Sequence, residues 1–373
     1  MTKSTSQLFS IIDTDFSSQR KCSKWSLLPV KDFLRRKVFR KVPINLESVA
    51  EQTWELAPSE TSITPPAYFL PNQLERITSW LESGNPWVQM AGGIKVTHTS
   101  TRGFLLKNAW LIDGVLYKNT ACSYLHPRSR RWPPQLHVKN EIDRGAVFCS
   151  ETGNRYFAHW LMDDCLMYPL AAAEGIPVTT NQPVGRHVPA YENWLDMTPT
   201  RLNNAFFKEL VIFSDRGQNQ HRHARFNAIH EKLLSHVNIQ PHPGVFILRG
   251  NDGSKRHLIN EMALAEYMHA KRGFRILDIT KADVANIVAT CAGAQVVMGV
   301  EGSQLIHGIL TLPPGGAILT LQPPNRFVDS YKLMTDRDRQ HFGFVVGIAE
   351  ADGFRIDPNE VERTLDLFPK LPD

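Results

Sequence analysis

The stretch from Val245 to Gln322 constrains the fold of this chain most, because strand-like apolar runs alternate in it with amphipathic helical ones. The run VFILRG predicts a strand followed by Arg249, and KRHLINEMALAEYMHAKRGF predicts a helix entered from Arg256. The runs AQVVMGV and AILTLQP predict two further strands, separated by a polar turn and a short apolar helix. This alternation indicates a Rossmann-like half-domain, a fold that binds phosphorylated ligands at the carboxyl ends of its strands.

Length and composition are those of a globular protein with two medium-sized domains or one large one. The 373 residues are 42% hydrophobic and 21% charged, with a net charge of +5. This mild positive charge suits a protein that handles anionic ligands and is too weak to indicate nucleic acid binding. No run approaches the about eighteen apolar residues of a membrane span, and the five scattered cysteines form no CxxC pair. We therefore expect a cytoplasmic protein with reduced thiols.

Residues 1–85 are predicted to form a partly irregular N-terminal extension. Within it, residues 20–41 carry nine basic residues against one acid, Asp32, with apolar residues interleaved. Such a segment can bind peripherally to an anionic membrane at its inner face. It can also form a solvated helix whose apolar face packs on the body of the protein, which is the more common arrangement. The spacing leaves both alternatives open.

Residues 86–240 are predicted to form a first α/β domain with a β-rich start. GFLLKNAWLIDGVLYKN predicts two strands joined by a hairpin turn at Asp113-Gly114. A Gly/Asn loop leads into the predicted helix FAHWLMDDCLMYPLAAAEG, and another helix is expected over WLDMTPTRLNNAFF. The polar, histidine-rich run RGQNQHRHARFNAIHEKLLSH is expected to be a loop that crosses to the second domain.

His159 and Asp163 are the best candidates for acid–base chemistry. One helical turn apart, they share a face, so the carboxylate can orient the imidazole or act as a base itself. A purely structural pair has the same spacing. The histidines of the later polar run suggest a metal site, but no HExxH or CxxC accompanies them, and we interpret them as solvated. They are His221, His223, His230, His236 and His242.

Arg249 and Arg256 are the candidates for binding a phosphorylated ligand. They flank the loop GNDGSK, and guanidinium groups near a helix N-terminus bind diphosphate well. Taken alone, two such arginines are more often surface charges. The loop is neither GxxxxGK[ST] nor GxGxxG, which disfavours triphosphate hydrolysis and a dinucleotide-dependent oxidoreductase.

The turn Glu301-Gly302-Ser303-Gln304 follows a predicted strand and precedes a helix. Its carboxylate can bind ribose or sugar hydroxyls while the N–H groups of Gly302 and Ser303 face a phosphate. Alternatively, Glu301 is only a helix-capping acid. Because G-x-S-x-G is absent here, a serine hydrolase is disfavoured.

In their order and spacing, these motifs resemble glycosyltransferase family 61, whose bacterial members are commonly called capsular polysaccharide biosynthesis proteins. NRYFAHWLMDD is similar to the family's turn followed by H-W-L-x-[DE]. The family's strand-end arginine, second arginine and Asn-Glu pair are matched by Arg249, Arg256, Asn260 and Glu261. Its GF pair and its A-x-x-v-x-G-x-H-G-[AS]-x-L segment are matched by Gly273, Phe274, Ala294, Gly299, Gly302, Ser303 and Leu305. The resemblance runs from about residue 100 to the end.

The resemblance implies a GT-B architecture, in which two Rossmann-like domains face each other across a cleft. Residues 86–240 would bind the acceptor and residues 241–340 the nucleotide-sugar donor. Residues 341–373 would return towards the first domain as a strand and a helix. The implied activity is that of an inverting hexosyl- or pentosyltransferase. It would move a sugar to a glycan or lipid-linked glycan in capsule or lipopolysaccharide biosynthesis.

The resemblance also implies roles for individual residues. His159 or Asp163 would be the base, and Arg249 and Arg256 would bind the diphosphate. No DxD motif stands at a strand end, so we expect a metal-independent enzyme without a cofactor, with the nucleotide-sugar as co-substrate. The remaining donor-binding residues would be Asn260, Glu301, Gly302, Ser303 and Gln304.

Two departures from the family pattern favour an alternative. Glu301 stands where the family usually has histidine, and Thr320 stands where it usually has an acid. A carboxylate in place of a histidine repels a diphosphate and so weakens its binding, unless the carboxylate contacts hydroxyl groups of the ligand instead. The alternative is a catalytically inactive relative that binds a glycan or a partner enzyme.

Overall fold

The computed structural model describes residues 19–81, 85–126, 134–180, 185–250 and 256–369. Residues 251–255, most of the loop predicted to contribute to phosphate binding, lie outside this part of the chain. The chain forms two compact units, one from residues 1–60 and 99–228 and the other from residues 61–98 and 229–373. Each unit is therefore built from two separate segments.

The unit boundaries differ from the predicted domain boundaries. Residues 61–98, predicted to divide between the extension and the first domain, belong to the second unit. Residues 341–373 also belong to the second unit, where residues 341–346 continue its sheet. The acceptor and donor roles of the domains stay predictions.

The strands and helices follow in chain order. The strands are β1 (Gln19–Trp25), β2 (Gln52–Ala57), β3 (Glu60–Ile63), β4 (Lys95–His98), β5 (Thr101–Ile112), β6 (Val115–Lys118), β7 (Ala121–Tyr124), β8 (His137–Val147), β9 (Ile176–Thr179), β10 (Thr200–Arg201), β11 (Asn204–Ser214), β12 (His242–Leu248), β13 (Arg275–Asp278), β14 (Ala294–Val300), β15 (Ala317–Gln322), β16 (His341–Val346), β17 (Ile348–Glu350) and β18 (Gly353–Arg355). The helices are α1 (Leu28–Lys37), α2 (Pro86–Ala91), α3 (Phe157–His159), α4 (Cys165–Glu174), α5 (Val188–Trp194), α6 (Gln220–Leu234), α7 (Glu261–Arg272), α8 (Val284–Ala292), α9 (Ile306–Thr311), α10 (Ser330–Arg337) and α11 (Pro358–Leu365).

The first unit contains a mixed nine-stranded sheet with the order β10-β9-β8-β11-β5-β6-β7, with β1 paired to β8 and β2 to β5. The strands from β10 to β11 run parallel, and the remaining pairs are antiparallel. The connection from β8 through α3 and α4 to β9 is a βαβ unit. The first unit is thus compatible with a Rossmann-like α/β fold that carries an antiparallel extension.

The hairpin prediction is confirmed, since β5 and β6 pair directly across Asp113-Gly114. Both turn residues have positive φ, 50° and 69°, as a two-residue hairpin turn of type I′ requires.

Two sequence predictions in the first unit are wrong. The helix expected over residues 194–207 is absent: α5 ends at Trp194, and β11 begins at Asn204. Pro199 cannot donate a helical hydrogen bond, and the run NAFFKELVIFS pairs with strands on both sides. The expected loop RGQNQHRHARFNAIHEKLLSH is mostly α6, whose start is capped by Asn219 Oδ1 accepting from the N–H of Arg222 over 3.0 Å.

The second unit contains a parallel five-stranded sheet with the order β13-β12-β14-β15-β16, which is Rossmann-like as predicted. Leu264 and Met268 of α7 pack with Phe246 and Met298 in the core of this unit. Strand order reverses between β12 and β14, because β13 lies on one side of β12 and β14 to β16 lie on the other. Ligands of open α/β sheets bind outside the carboxyl ends of the strands at such a reversal.

Within the described ranges, none of the helices is both long and apolar enough to cross a bilayer.

Candidate active site

His159 and Asp163 lie in the helical segment that follows β8. This segment consists of α3, a π-helical turn at Trp160–Asp164, and α4. His159 Nδ1 lies 2.7 Å from Asp163 Oδ2, and the imidazole is 45% exposed. The structure thus brings together the two residues predicted as the acid–base pair, and π-helical turns often mark functional sites.

Two arginines of α6 complete a network around Asp163. Arg222 Nη2 donates to Asp163 Oδ1 over 2.5 Å, and Arg222 Nη1 donates to Asp215 Oδ2 over 3.2 Å. Arg225 binds both oxygens of Asp215, at 2.8 and 2.9 Å. Arg222, Arg225 and Asp215 are almost fully buried. Their ion pairs therefore hold Asp163, and through it the exposed imidazole, in a fixed position.

Sheet topology explains why these residues meet. The helical segment with His159 follows β8, and Asp215 follows β11. Because β8 and β11 are parallel neighbours, both connections begin at the same edge of the sheet. Residues about sixty positions apart in sequence therefore lie in direct contact.

The charge of Asp163 decides how the pair can act. Burial opposes ionisation, but the hydrogen bond from His159 and the charge of Arg222 prevail and hold the pKa of Asp163 below its usual value. An ionised carboxylate only accepts hydrogen bonds, so His159 donates from Nδ1 and its basic lone pair lies on Nε2. Asp163 can therefore orient the imidazole, and His159 is the candidate base of the pair.

The neighbouring Asp164 behaves in the opposite way. Burial raises the pKa of its carboxyl well above the usual value, against the effect of a 2.9 Å hydrogen bond from Ser150 Oγ. A Cβ on Gly153 would lie 1.9 Å from Asp164 Oδ2, so the loop after β8 closes tightly on this side chain. The pKa values of two consecutive carboxyls are thus shifted in opposite directions, and only Asp163 belongs to the exposed pair.

The histidines that suggested a metal site are dispersed. His230 Nδ1 lies 2.8 Å from the Leu310 carbonyl, and His242 contacts the carbonyls of Gly244 and Thr290. In the part of the chain that the structure describes, no three His, Cys, Asp or Glu side chains converge in a metal-binding arrangement.

A second cluster of charged side chains lies in the second unit, at the reversal between β12 and β14. Arg249 directly follows β12, Glu301 directly follows β14, and Arg326 follows β15. These three strands are parallel neighbours, so all three residues lie at the carboxyl edge of the sheet. This edge is where an α/β sheet binds phosphorylated ligands.

Both predicted arginines bind the Glu301-Gly302 turn. Arg249 Nη1 donates to the Glu301 carbonyl over 3.1 Å and to Gln304 Oε1 over 3.3 Å. Arg256 Nη1 donates to the same carbonyl over 2.7 Å and contacts the Glu301 carboxylate. A Cβ on Gly302 would lie 1.8 Å from Arg249 Nη1, so glycine lets the guanidinium approach the turn.

Glu301 is buried against these arginines. Burial raises the pKa of its carboxyl, and the charges of Arg256 and Arg249 oppose that effect. Tyr331 closes the cluster from α10 by donating from its hydroxyl to the Gly302 carbonyl over 2.6 Å. The Glu301 carboxylate is therefore paired with Arg256. A ligand hydroxyl that bound this carboxylate would have to displace the Arg256 guanidinium.

Arg326 adds a third positive charge that the sequence did not reveal. Its charge acts on Glu301, Arg249 and Arg256. Its Nε is buried without a hydrogen-bond partner, and its side chain makes no ion pair among the described residues. The charges of three guanidinium groups thus act on one carboxylate, and an anionic ligand would balance the excess positive charge.

The other predicted donor-binding residues occupy different positions. The Asn260 amide is engaged by the backbone of Ile356, donating over 2.8 Å and accepting over 3.3 Å, which favours a structural role. Its neighbour Glu261 accepts from the N–H groups of Arg249 and Gly250 and so positions the loop after β12. Ser303 is half-buried at the start of a 3₁₀ turn.

Comparison with known proteins adds a family match. Residues 157–319 match the family model described as Glycosyltransferase 61. The matched region begins in α3 and ends in β15, so it contains His159, Asp163, Arg222, Arg249 and Glu301. No protein with a curated description matches the chain significantly.

Proposed function

We propose that this chain, whose residues 157–319 match the model of glycosyltransferase family 61, is an inverting transferase using a nucleotide-sugar donor. The proposed acceptor is a glycan or a lipid-linked glycan. The observation that carries the proposal is the cluster of Arg249, Arg256 and Arg326 around the strand reversal. Its positive charge matches the diphosphate of a nucleotide-sugar.

The arginines would stabilise the leaving group. As the bond between the anomeric carbon and the diphosphate oxygen breaks, the electron pair leaves with the nucleoside diphosphate. Guanidinium groups bind phosphate oxygens in pairs, and a partly buried site strengthens that attraction. We propose that they do this without a bound metal ion.

His159 would be the general base. The acceptor hydroxyl gives its proton to Nε2 while its oxygen attacks the anomeric carbon, and the configuration at that carbon inverts. The 2.7 Å contact with anionic Asp163 supports this role, because it orients the ring and stabilises the imidazolium that forms. The reaction needs a donor within reach of this base, which a GT-B arrangement of the two units would provide.

The finer assignment follows from the family resemblance. We propose a cytoplasmic hexosyl- or pentosyltransferase that acts in capsule or lipopolysaccharide biosynthesis. Asn260, Ser303 and Gln304 would contribute to the donor site mainly by positioning its loops.

A second candidate is a catalytically inactive relative that binds a glycan or a partner enzyme. The observation that favours it is the buried contact between Glu301 and Arg256, which occupies part of the proposed diphosphate site.

Thermal unfolding with a panel of nucleoside diphosphates tests the proposal. A ligand that binds only the folded protein raises its Tm by mass action. We expect at least one nucleoside diphosphate to raise the Tm in a concentration-dependent way, and the matching nucleotide-sugar to be consumed when an acceptor is added. Absence of any shift across the panel would favour the inactive relative.

A further inference from the structure

Six large apolar side chains lie exposed on and beside α1, and we name them the α1 face. Each is between 43% and 81% exposed. They belong to one stretch of the first unit, from the end of β1 to just beyond α1. The α1 face consists of Trp25, Leu27, Leu34, Val38, Phe39 and Val42.

The helix is oriented so that apolar residues point outwards. Leu27, Leu34 and Val38 follow the i, i+7, i+11 spacing of one helical face, and all three are exposed. The inward side carries Leu28, which packs against a core cluster, and also a charged pair: Asp32 accepts from the Tyr124 hydroxyl over 3.0 Å, and Arg36 lies over the Tyr124 ring. A helix that only covered a core would also bury Leu34 and Val38 and would expose the ions.

The charge around this face is positive. Asp32 is the only carboxylate of residues 20–41, and it is turned inwards towards Arg36, Tyr124 and Cys122. Several cations nearby make no ion pair among the described residues, so their charge is directed to solvent. These cations are Lys21, Lys31, Lys37, Arg40 and Lys41.

We propose that the α1 face docks on the surface of an anionic lipid bilayer. Its apolar side chains would enter the boundary between headgroups and acyl chains, and the cations would lie among the anionic headgroups. A second copy of this chain is a poor partner for the face, because two positive surfaces repel. A soluble polyanion would use the cations but leave the apolar side chains in water.

Vesicle co-sedimentation of the full chain tests the proposal without requiring transferase activity. We expect the protein to bind vesicles that contain phosphatidylglycerol, to bind phosphatidylcholine vesicles weakly, and to lose affinity as salt screens the cations. The triple variant K37E/R40E/K41E should lose on the order of 100-fold in affinity for the anionic vesicles. The double variant L34D/F39D should lose about tenfold or more, because it removes apolar area from the interface.

Matched variants on other exposed residues serve as controls. Ile63 and Ile348 are exposed apolar residues of the second unit, and I63D/I348D should bind vesicles like the wild type. K107E/K139E/K271E replaces the same number of exposed basic residues elsewhere and should change affinity by less than about threefold. Circular dichroism confirms that each variant is folded.

Three outcomes would overturn the proposal. One is equal vesicle binding by the wild type and by both α1 variants. Another is an equal loss in the matched controls, since the effect would then be one of total charge. The third is self-association of the wild type that L34D/F39D abolishes, because the face would then be an interface between copies.

Discussion

Arg222 donates to Asp163 from one side while His159 contacts Asp163 from the other, so the carboxylate is held between a buried cation and an exposed imidazole. Because Arg222 also binds Asp215, which binds Arg225, the position of the imidazole depends on three buried charges. These buried ion pairs therefore position His159, the side chain that would accept a proton in the proposed reaction.

Replacing Arg222 by methionine should destabilise the protein by about 3 kcal/mol, because Asp163 and Asp215 would each lose a partner in a buried site. Urea unfolding measures this cost. The matched control is Arg155→Met, which breaks an exposed pair with Glu151 and should cost less than about 1 kcal/mol. Equal costs for the two variants would contradict the rigid network.

Replacing His159 by alanine should lower kcat by about 100-fold or more while leaving nucleotide affinity unchanged, because the proposed base makes no contribution to the diphosphate site. Asp163→Asn should also lower kcat, since an amide can hold the imidazole in the wrong tautomer. The exposed His236→Ala is the control. Wild-type kcat in His159→Ala would remove His159 from the reaction.

Replacing Arg249 by alanine should weaken nucleoside diphosphate binding by about 100-fold in calorimetry, because charge-assisted hydrogen bonds to phosphate contribute about 1.5–3 kcal/mol. Arg363→Ala on α11 is the control, since Arg363 is exposed and distant in sequence from Arg249. Unchanged affinity in Arg249→Ala would sink its assignment to the donor site.

Replacing Arg326 by methionine should weaken nucleotide binding by about tenfold and leave the Tm of the ligand-free protein unchanged or higher. A half-buried cation whose Nε lacks a partner contributes to binding an anion and costs stability in its absence. Calorimetry and thermal unfolding of the same variant separate the two effects. A lower Tm with full affinity would show that Arg326 is structural.

Replacing Asp164 by asparagine should raise the Tm by about 3 °C at about pH 8 and change it little in acid. The folded pKa of this carboxyl is raised, so its contribution to stability is present below the unfolded pKa and is lost as pH rises through the folded pKa. The neutral amide avoids that loss. The measurement is thermal unfolding across pH.

Asp163→Asn is the matched comparison, with the opposite sign. The folded pKa of Asp163 lies below its usual 3.8, so its contribution is present above that value and lost as pH falls through the folded pKa. The asparagine variant should therefore be less stable than the wild type at neutral pH. If the two variants had the same pH dependence, the opposite pKa shifts of the two carboxyls would be contradicted.

The second unit was largely predictable from the sequence, because its parallel strands are continuous apolar runs and its glycines and charges stand at strand ends. Arg249 and Glu301 follow their strands directly, so the periodicity alone located them. Arg326 was not predicted as a site residue, because it follows Pro323 and Pro324 in a loop without periodicity. Its position at the same sheet edge as Glu301 follows only from the strand order.

The first unit was less predictable for a different reason. The pair of His159 and Asp163 followed from helical spacing, but the partners of that pair lie on α6, which was predicted to be a loop. The helix signal was present in Asn219 as a cap and in Arg222 and Arg225 at i, i+3 spacing. The apolar periodicity that predicts a helix is weak in α6, because this helix buries arginines and contains many other polar residues.

The missing side chain at Gly302 constrains how this protein can diverge. Any residue larger than glycine there would have to occupy space that the Arg249 guanidinium now fills. Loss of the glycine and loss or displacement of the arginine are therefore linked events. In related chains, a substituted position 302 should identify members that have abandoned this mode of anion binding.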